Sequence, residues 1–429
     1  MHPLLRIPYA VAGAVAQVAA TIAPSSAGKL GASLRARRGI RERYTAWSAA
    51  HRDPARPLLW IHAPSVGEGL QARPVIALLR ARYPQLQIAY TFFSPSAAPF
   101  AAGVGADFYD YLPFDTFGDS DAAVRALRPT ALVFSKLDVW PVLVERAVAH
   151  GTRVGLISAT LAEASARNSV LASWLLCDAY RALDSVGAID AQDATRLLHL
   201  GVRGDRVHIT GDTRYDQVRD RAAAADRGGA LLAPLASTRP TLVAGSTWPS
   251  DEAVLLEAWR AVLVQLPQAR MIIAPHELTA GQLANIERWA EQSQLRFARL
   301  GAASQSQADV VLVDRVGVLG DLYSLADIAF VGGGFHGAGL HSVLEPAAFG
   351  APVLFGPQYG ASRDATQLLA NGGGFAATSA QELATRMISL LAETEARATA
   401  GGRARALVVS GLGAAVKSAA LVEQLLAIS

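Results

Sequence analysis

Short apolar runs recur along this chain at intervals that leave room for one helix between neighbours. In the first half they are Leu58–Ala63, Ile88–Phe93, Ala131–Phe134, Arg153–Ser158 and Ser185–Ile189. In the second half they are Thr241–Ala244, Met271–Ala274, Val310–Val313, Ile328–Val331 and Pro352–Phe355. Runs this short and rich in Val, Ile, Leu and Phe read as strands buried on both faces. The stretches between them, such as Gly69–Tyr83 and Ser250–Leu266, place apolar residues at helical spacing. Sustained alternation of strand and helix predicts an α/β fold of doubly wound parallel sheets.

At 429 residues the chain exceeds one ordinary core, so two domains are expected. The alternation weakens once, across Arg219–Arg239, an Ala- and Gly-rich stretch that holds Pro234. The division that follows is an apolar and then basic segment over 1–43, a Rossmann-like domain over 44–218, a linker over 219–239 and a second Rossmann-like domain over 240–429. The two domains are expected to face each other across a cleft.

The strand Leu58–Ala63 runs into a turn of small residues that delivers Glu68 at the start of a helix. Ligands of open α/β sheets sit just outside the carboxyl ends of strands. A carboxylate held there can take a proton from a substrate hydroxyl. It can equally be a first-turn acid favoured by the helix dipole. A second strand end, Phe134 to Pro141, sets Lys136 and Asp138 two residues apart, which as spacing alone reads as a solvated ion pair.

In the second half, Val331-Gly332-Gly333-Gly334 follows a strand and leads through His336 into His341-Ser342-Val343-Leu344-Glu345-Pro346. Glycines after a strand let backbone approach a ligand, and free N–H groups at a helix start suit an anion. Ser342 and Glu345 also fit a capping box. The pattern is not the dinucleotide fingerprint, so no NAD site is read here. Three further loops end strands of this half: Gly245-Ser246-Thr247-Trp248, Pro275-His276-Glu277 and Asp314-Arg315-Val316-Gly317-Val318-Leu319. Singly each reads as turn and cap chemistry; together the four outline a nucleotide-sized pocket.

Residues 7–23 carry no charge over 17 positions. As a helix they would span roughly 25 Å, slightly short of a hydrocarbon core of about 30 Å. Lys29, Arg35, Arg37, Arg38, Arg41 and Arg43 follow, opposed only by Glu42. Apolar then cationic sequence suits a cytoplasmic membrane face. An ordinary buried first helix is the alternative. No aromatic platform is interleaved with the basic cluster, which argues against nucleic acid as a partner. The single cysteine, Cys177, excludes an internal disulfide framework and any cysteine-based metal cluster. No His, Cys, Asp or Glu spacing suggests a metal site.

At these motifs the chain resembles the 3-deoxy-D-manno-octulosonic acid (Kdo) transferases of lipopolysaccharide assembly. The likeness covers most of residues 25–425. It is carried by Ser65-Val66-Gly67-Glu68, Asp138-Val139-Trp140-Pro141, Gly245-Ser246-Thr247, the Gly317 loop with Asp321-Leu322-Tyr323, and above all Gly339 to Ala348. The resemblance implies a GT-B fold at the cytoplasmic face of the inner membrane, with lipid contacts through residues 1–43. It implies CMP-Kdo as donor, a lipid A precursor as acceptor, and no metal or other cofactor.

Carried over residue by residue, it makes Glu68 the general base of a single inverting displacement, with Ser65, Gly67, Lys136 and Asp138 toward the acceptor. On the donor side it puts Val316, Gly317, Val318 and Leu319 against the cytosine and Glu345 on the ribose hydroxyls. Ser246 and Thr247 would meet the phosphate or the sugar carboxylate, with His276, Glu277, Gly333, Gly334 and Ser342 also lining the donor. The chain departs from the family at Lys136 and Asp138, where many members have Glu-x-Glu, at Ser342 in place of Asn, and at Pro275-His276-Glu277 in place of Pro-Arg-His. Two other readings stay open on these departures: a transferase or epimerase using a UDP-sugar, and a non-catalytic lipid-binding relative.

Overall fold

The computed structural model describes residues 1–22, 28–162 and 165–428, apart from the side chains of Lys29 and Asn168. Ala23 and the Lys29 side chain, both part of the expected membrane segment, lie outside the described residues. Two compact units emerge, one of Met1–Gln217 together with the residues from Leu412 onward, the other Val218–Gly411.

The first unit is built on seven strands: β1 (Leu58–His62), β2 (Gln87–Phe92), β3 (Phe108–Tyr111), β4 (Ala131–Ser135), β5 (Arg153–Ala159), β6 (Ser185–Ala188) and β7 (Val207–Ile209). They lie in the order β3-β2-β1-β4-β5-β6-β7 and every pairing is parallel. The second unit repeats the architecture with β8 (Thr241–Thr247), β9 (Arg270–Pro275), β10 (Phe297–Arg299), β11 (Val310–Leu312), β12 (Ile328–Val331), β13 (Val353–Phe355) and β14 (Gly374–Ala376). Their order is β10-β11-β9-β8-β12-β13-β14, again all parallel. Each sheet reverses its winding beside its first strand, between β1 and β4 and between β8 and β12.

The cores follow from composition. β1, β2 and β4 are buried along their whole length, and Leu58, Trp60 and Phe134 pack on one face of their sheet while Leu59, Ile61 and Val133 pack on the other. β8, β9 and β12 do the same with Leu242, Ile273 and Phe330 opposite Val243, Ile272 and Ala329.

Two expected boundaries are corrected. The stretch 219–239 is not a free linker: the helix Thr213–Ala224 runs through its first part, and Leu232 and Leu235 are buried in the second unit's core. The second domain does not run to 429. The helix Ala414–Leu426 returns to the first unit, where Ala415, Ala419, Val422 and Leu425 join the core beside Ile61 and Val133. Asp216 fixes that return by accepting Gly413 N and Ala415 N at 2.9 Å each. Gly155 on β5 makes room for it, since a Cβ there would stand 2.4 Å from Leu425 Cδ1.

The N-terminal helix Pro3–Ile22 lies along the first unit by its polar face. Tyr9 Oη donates to Asp115 at 2.7 Å, and Gln17 Nε2 donates to Asp119 at 2.7 Å. Leu4, Ile7, Val11, Val15, Val18 and Ile22 form an exposed stripe on the other side. Of the cationic cluster that follows, Arg37 is buried, Arg35 and Arg43 are half-buried, and Arg38 and Arg41 are exposed. Arg37 is buried, donating to Leu112 O and Ser33 O at 2.7 Å each, with its guanidinium 4.3 Å above the Phe93 ring. Arg41 pairs with Asp119, and Arg43 holds Asp110 at 2.6 and 2.9 Å.

Candidate functional site

Both units place their chemistry at the carboxyl edge of the sheet beside the winding reversal, where adjacent crossovers leave in opposite directions and open a crevice. In the first unit the helix Val66–Arg82 starts directly after β1, so Glu68 is in its first turn. Ser65 Oγ donates to Glu68 Oε2, Lys136 Nζ stands 3.2 Å from Oε1, and Ser135 Oγ donates to the Glu68 carbonyl at 3.1 Å. Lys136 reaches this position from a left-handed backbone (φ 70°), a conformation that costs a non-glycine residue about 1 kcal/mol or more and recurs at functional sites. Burial pushes the Glu68 carboxyl up, but the Ser65 hydroxyl and the Lys136 charge outweigh it, leaving it below the usual carboxylate range. Glu68 is therefore ionised and oriented at neutral pH. Gly67 is exposed beside it.

Asp138 does not share that contact. Its carboxylate is held by Trp140 Nε1 at 3.1 Å, Arg167 Nη2 at 3.3 Å and His62 Nε2 at 3.4 Å, with His62 Nδ1 in turn 3.1 Å from Thr91 Oγ1. Burial raises its carboxyl, while His62 and Arg167 bring it below the ordinary value. Ser135, His62 and Arg167 are absent from the sequence reading. His62 is fully buried within β1 and reads there as one more inward-facing strand residue.

In the second unit β8 ends at Ser246, which is left-handed (φ 55°), and Thr247. Thr247 is fully buried, and its hydroxyl donates to Glu252 Oε1 at 2.8 Å, to which Gln282 Nε2 also donates at 2.7 Å. Its role is thus to brace the loop, not to meet a phosphate directly as expected. The glycine-rich loop is tied down as well. Fully buried Asp251 accepts Gly333 N at 2.7 Å, Phe335 N at 2.9 Å and Trp248 N at 2.9 Å. The Gly333 amide expected to meet an anion is spent on this carboxylate. Gly333 itself is required by φ 93° and by Gly339 O, which a Cβ would approach to 2.1 Å.

The expected capping box of Ser342 and Glu345 does not form: the helix is only Leu344–Ala348, with Val343 at its cap, and Ser342 is exposed. Glu345 is half-buried, and burial raises its carboxyl, opposed by Arg221 and reinforced by Asp321. Arg221 also donates to Gly317 O at 3.0 Å and lies 3.4 Å from Asp321. That links the Gly317 loop (φ 87° at Gly317) to the surroundings of Glu345. Val316 points outward, 83% exposed, while Val318 and Leu319 are half-buried.

An aromatic cluster that the sequence reading did not assemble completes this edge. The Trp248 indole stacks on His336 with centroids 4.1 Å apart and planes 4° from parallel. His276 lies 4.5 Å from the same indole and 4.4 Å from His341. Glu277, next to His276, is exposed. Among the described residues no three His, Cys, Asp or Glu side chains converge as a metal site requires.

A family model described as 3-deoxy-D-manno-octulosonic-acid transferase (kdotransferase) matches residues 38–217. A 3-deoxy-D-manno-octulosonic acid transferase of Bordetella pertussis is 29% identical over 376 residues, covering 84% of this chain and 86% of that protein. The protein of the same name from Haemophilus influenzae is 27% identical over 329 residues, 76% of each chain. Among solved structures, the UDP-GlcNAc 2-epimerase of Neisseria meningitidis bound to UDP-GlcNAc aligns with a TM-score of 0.57 at 14% identity over 83% of this chain and 99% of that one. S. aureus MnaA with UDP aligns at 0.59 and 12% identity, over 87% and 98%. At such identities the structural likeness is one of fold, the two-domain GT-B class.

Proposed function

The chain belongs to the family of Kdo transferases, glycosyltransferases of lipopolysaccharide synthesis, and from that premise we propose that it moves Kdo from CMP-Kdo to a lipid A precursor with Glu68 as general base. The acceptor hydroxyl gives its proton to Glu68 as its oxygen bonds the anomeric carbon of Kdo. The bond from that carbon to the phosphate oxygen breaks, and CMP leaves with the electron pair, inverting the centre. The observation that supports this most is the hold on Glu68: a carboxylate ionised at neutral pH, fixed by Ser65 and Lys136 at the carboxyl end of β1. Lys136 and the exposed Gly67 then meet the acceptor, while Asp138 positions Trp140 and Arg167 around it.

On the donor side the reading gives the cytosine to the backbone of Gly317 to Leu319, the ribose to Glu345, and the phosphate or carboxylate to Ser246, His276 and Ser342, with Glu277 and Gly334 at the margin. Thr247 and Gly333 hold these loops in place. No metal takes part in this scheme, so EDTA should leave turnover unchanged. The acceptor's lipid nature accords with the exposed stripe of Pro3–Ile22, which is proposed to rest on the cytoplasmic face of the inner membrane.

The test uses purified protein in detergent, CMP-Kdo generated in situ and a tetra-acylated lipid A precursor, read by mass spectrometry. A mass gain of one or more Kdo units is expected. No gain, with CMP binding measurable by calorimetry, would replace the acceptor; no gain and no CMP binding would replace the donor as well.

A further inference from the structure

The four rings at the carboxyl edge of the second sheet differ in what they can do with a proton. Trp248 Nε1–H lies 3.2 Å from His341 Nε2, and an indole nitrogen only donates. That bond needs an unprotonated Nε2, so Trp248 holds His341 as the neutral imidazole. Burial and the neighbouring His276 act in the same direction, lowering the His341 pKa. His336 is constrained in the same way at Nδ1, which accepts the Ala338 N–H at 3.1 Å, whereas both ring nitrogens of exposed His276 are open to a ligand. His276 is exposed at the end of β9, His336 is half-buried in the glycine-rich loop, and both pack on the indole at 4.5 and 4.1 Å. A cationic imidazolium gains on an indole face, whereas two cationic rings at the His276–His341 spacing of 4.4 Å would repel. The cluster therefore leaves one ring, His276, placed to carry a proton on the indole platform beside a neutral His341 and a His336 whose Nδ1 is an acceptor.

Charged groups on the surrounding elements leave that proton without an anionic partner of its own. On the helix Pro249–Gln265, Asp251 is committed to three amides and Glu252 to Thr247 and Gln282. Glu277, adjacent to His276, is exposed. On the loop after β12 the titratable groups are His336 and His341 themselves.

We propose that Trp248, His276 and His336 form a proton-linked receptor for the oxyanion of the nucleotide-sugar donor, its phosphate or its sugar carboxylate. This rests on the donor reading above. Binding of the anion draws one proton from solvent onto His276, and the imidazolium then lies between the indole face and the ligand. Donor affinity consequently falls as pH rises past neutrality, by up to about tenfold per pH unit for a single linked proton.

The experiment is isothermal calorimetry on the full chain between pH 5.5 and 8.5, in buffers of different ionisation enthalpy, with CMP, free Kdo and inorganic phosphate as separate probes. Uptake approaching one proton with CMP assigns the phosphate; uptake with free Kdo alone assigns the carboxylate. His276→Gln should flatten the pH dependence, while His199→Gln on an exposed helix end of the other unit should not. Trp248→Phe keeps a ring face but frees His341 Nε2, and should move the linkage to higher affinity for protons. CMP binding with no proton uptake at any pH for either CMP or free Kdo overturns the proposal and leaves the donor reading standing. Proton-linked phosphate binding without CMP binding upholds the receptor and overturns the donor reading. No binding of any probe overturns both.

Discussion

Glu68 joins a position to a protonation state. With Lys136 removed, the balance between burial and charge shifts upward, so Lys136→Met should move the acid limb of the pH–rate profile to higher pH. Glu68→Gln should lower kcat by roughly 10²–10⁴ while circular dichroism and the melting transition stay as in the parent; a near-parental rate would remove Glu68 from the mechanism. The place of Glu68 was legible in the sequence, since a buried apolar run and a turn of small residues precede it, but its role came only from the family resemblance. Asp251 was not legible. It reads as a helix-start acid, and the Gly333 and Phe335 amides it holds lie 82 and 84 residues further along. The same applies to the ring cluster, whose members come from the ends of three strands that only the winding of the sheet brings together.

At the scale of elements, the apolar runs located the interior strands and missed β3, β7, β10 and β14. These are the four sheet edges. An edge strand is covered on fewer sides: β3, β10 and β14 mix buried with half-buried or exposed residues and β7 buries none, so none forms an uninterrupted apolar run. One of the edges is held by charge. Asp309, just before β11, accepts from Arg296 just before β10 at 2.7 and 3.0 Å and from Arg239 at 2.5 Å. Burial raises its carboxyl, but the two guanidiniums and a backbone N–H bring it down to about 2. A carboxyl with a depressed folded pKa stabilises above its unfolded value, near 4, and loses that contribution as pH falls through about 2. Asp309→Asn should therefore lower the melting temperature at pH 7, with the gap to the parent closing between pH 4 and pH 2. Gly333→Ala, at φ 93° and against Gly339 O, should cost on the order of 2–4 kcal/mol in urea unfolding.

The molecule as a whole was read correctly as two doubly wound α/β domains, and incorrectly at its C-terminus. The helix Ala414–Leu426 has the Ala- and Leu-rich character of any core helix, and nothing local states which sheet it covers. Its removal should expose the first unit's core around Ile61 and Val133, so a chain ending at Gly411 is expected to lose that unit's cooperative transition in calorimetry while Val218–Gly411 keeps its own. At the other end, flotation with liposomes should carry the full chain and not a form lacking residues 1–22. Equal flotation of both would remove Pro3–Ile22 from membrane binding.

Because its closing helix is encoded after the whole of the second domain, the first domain cannot be finished when its own strands leave the ribosome. The second domain has all of its strands and its core in hand earlier, so completion runs opposite to the direction of synthesis. During that interval the faces of β4 and β5 that later receive Ala415, Ala419 and Leu425 are uncovered apolar surface. A nascent chain carries that uncovered apolar surface until the helix Ala414–Leu426 emerges.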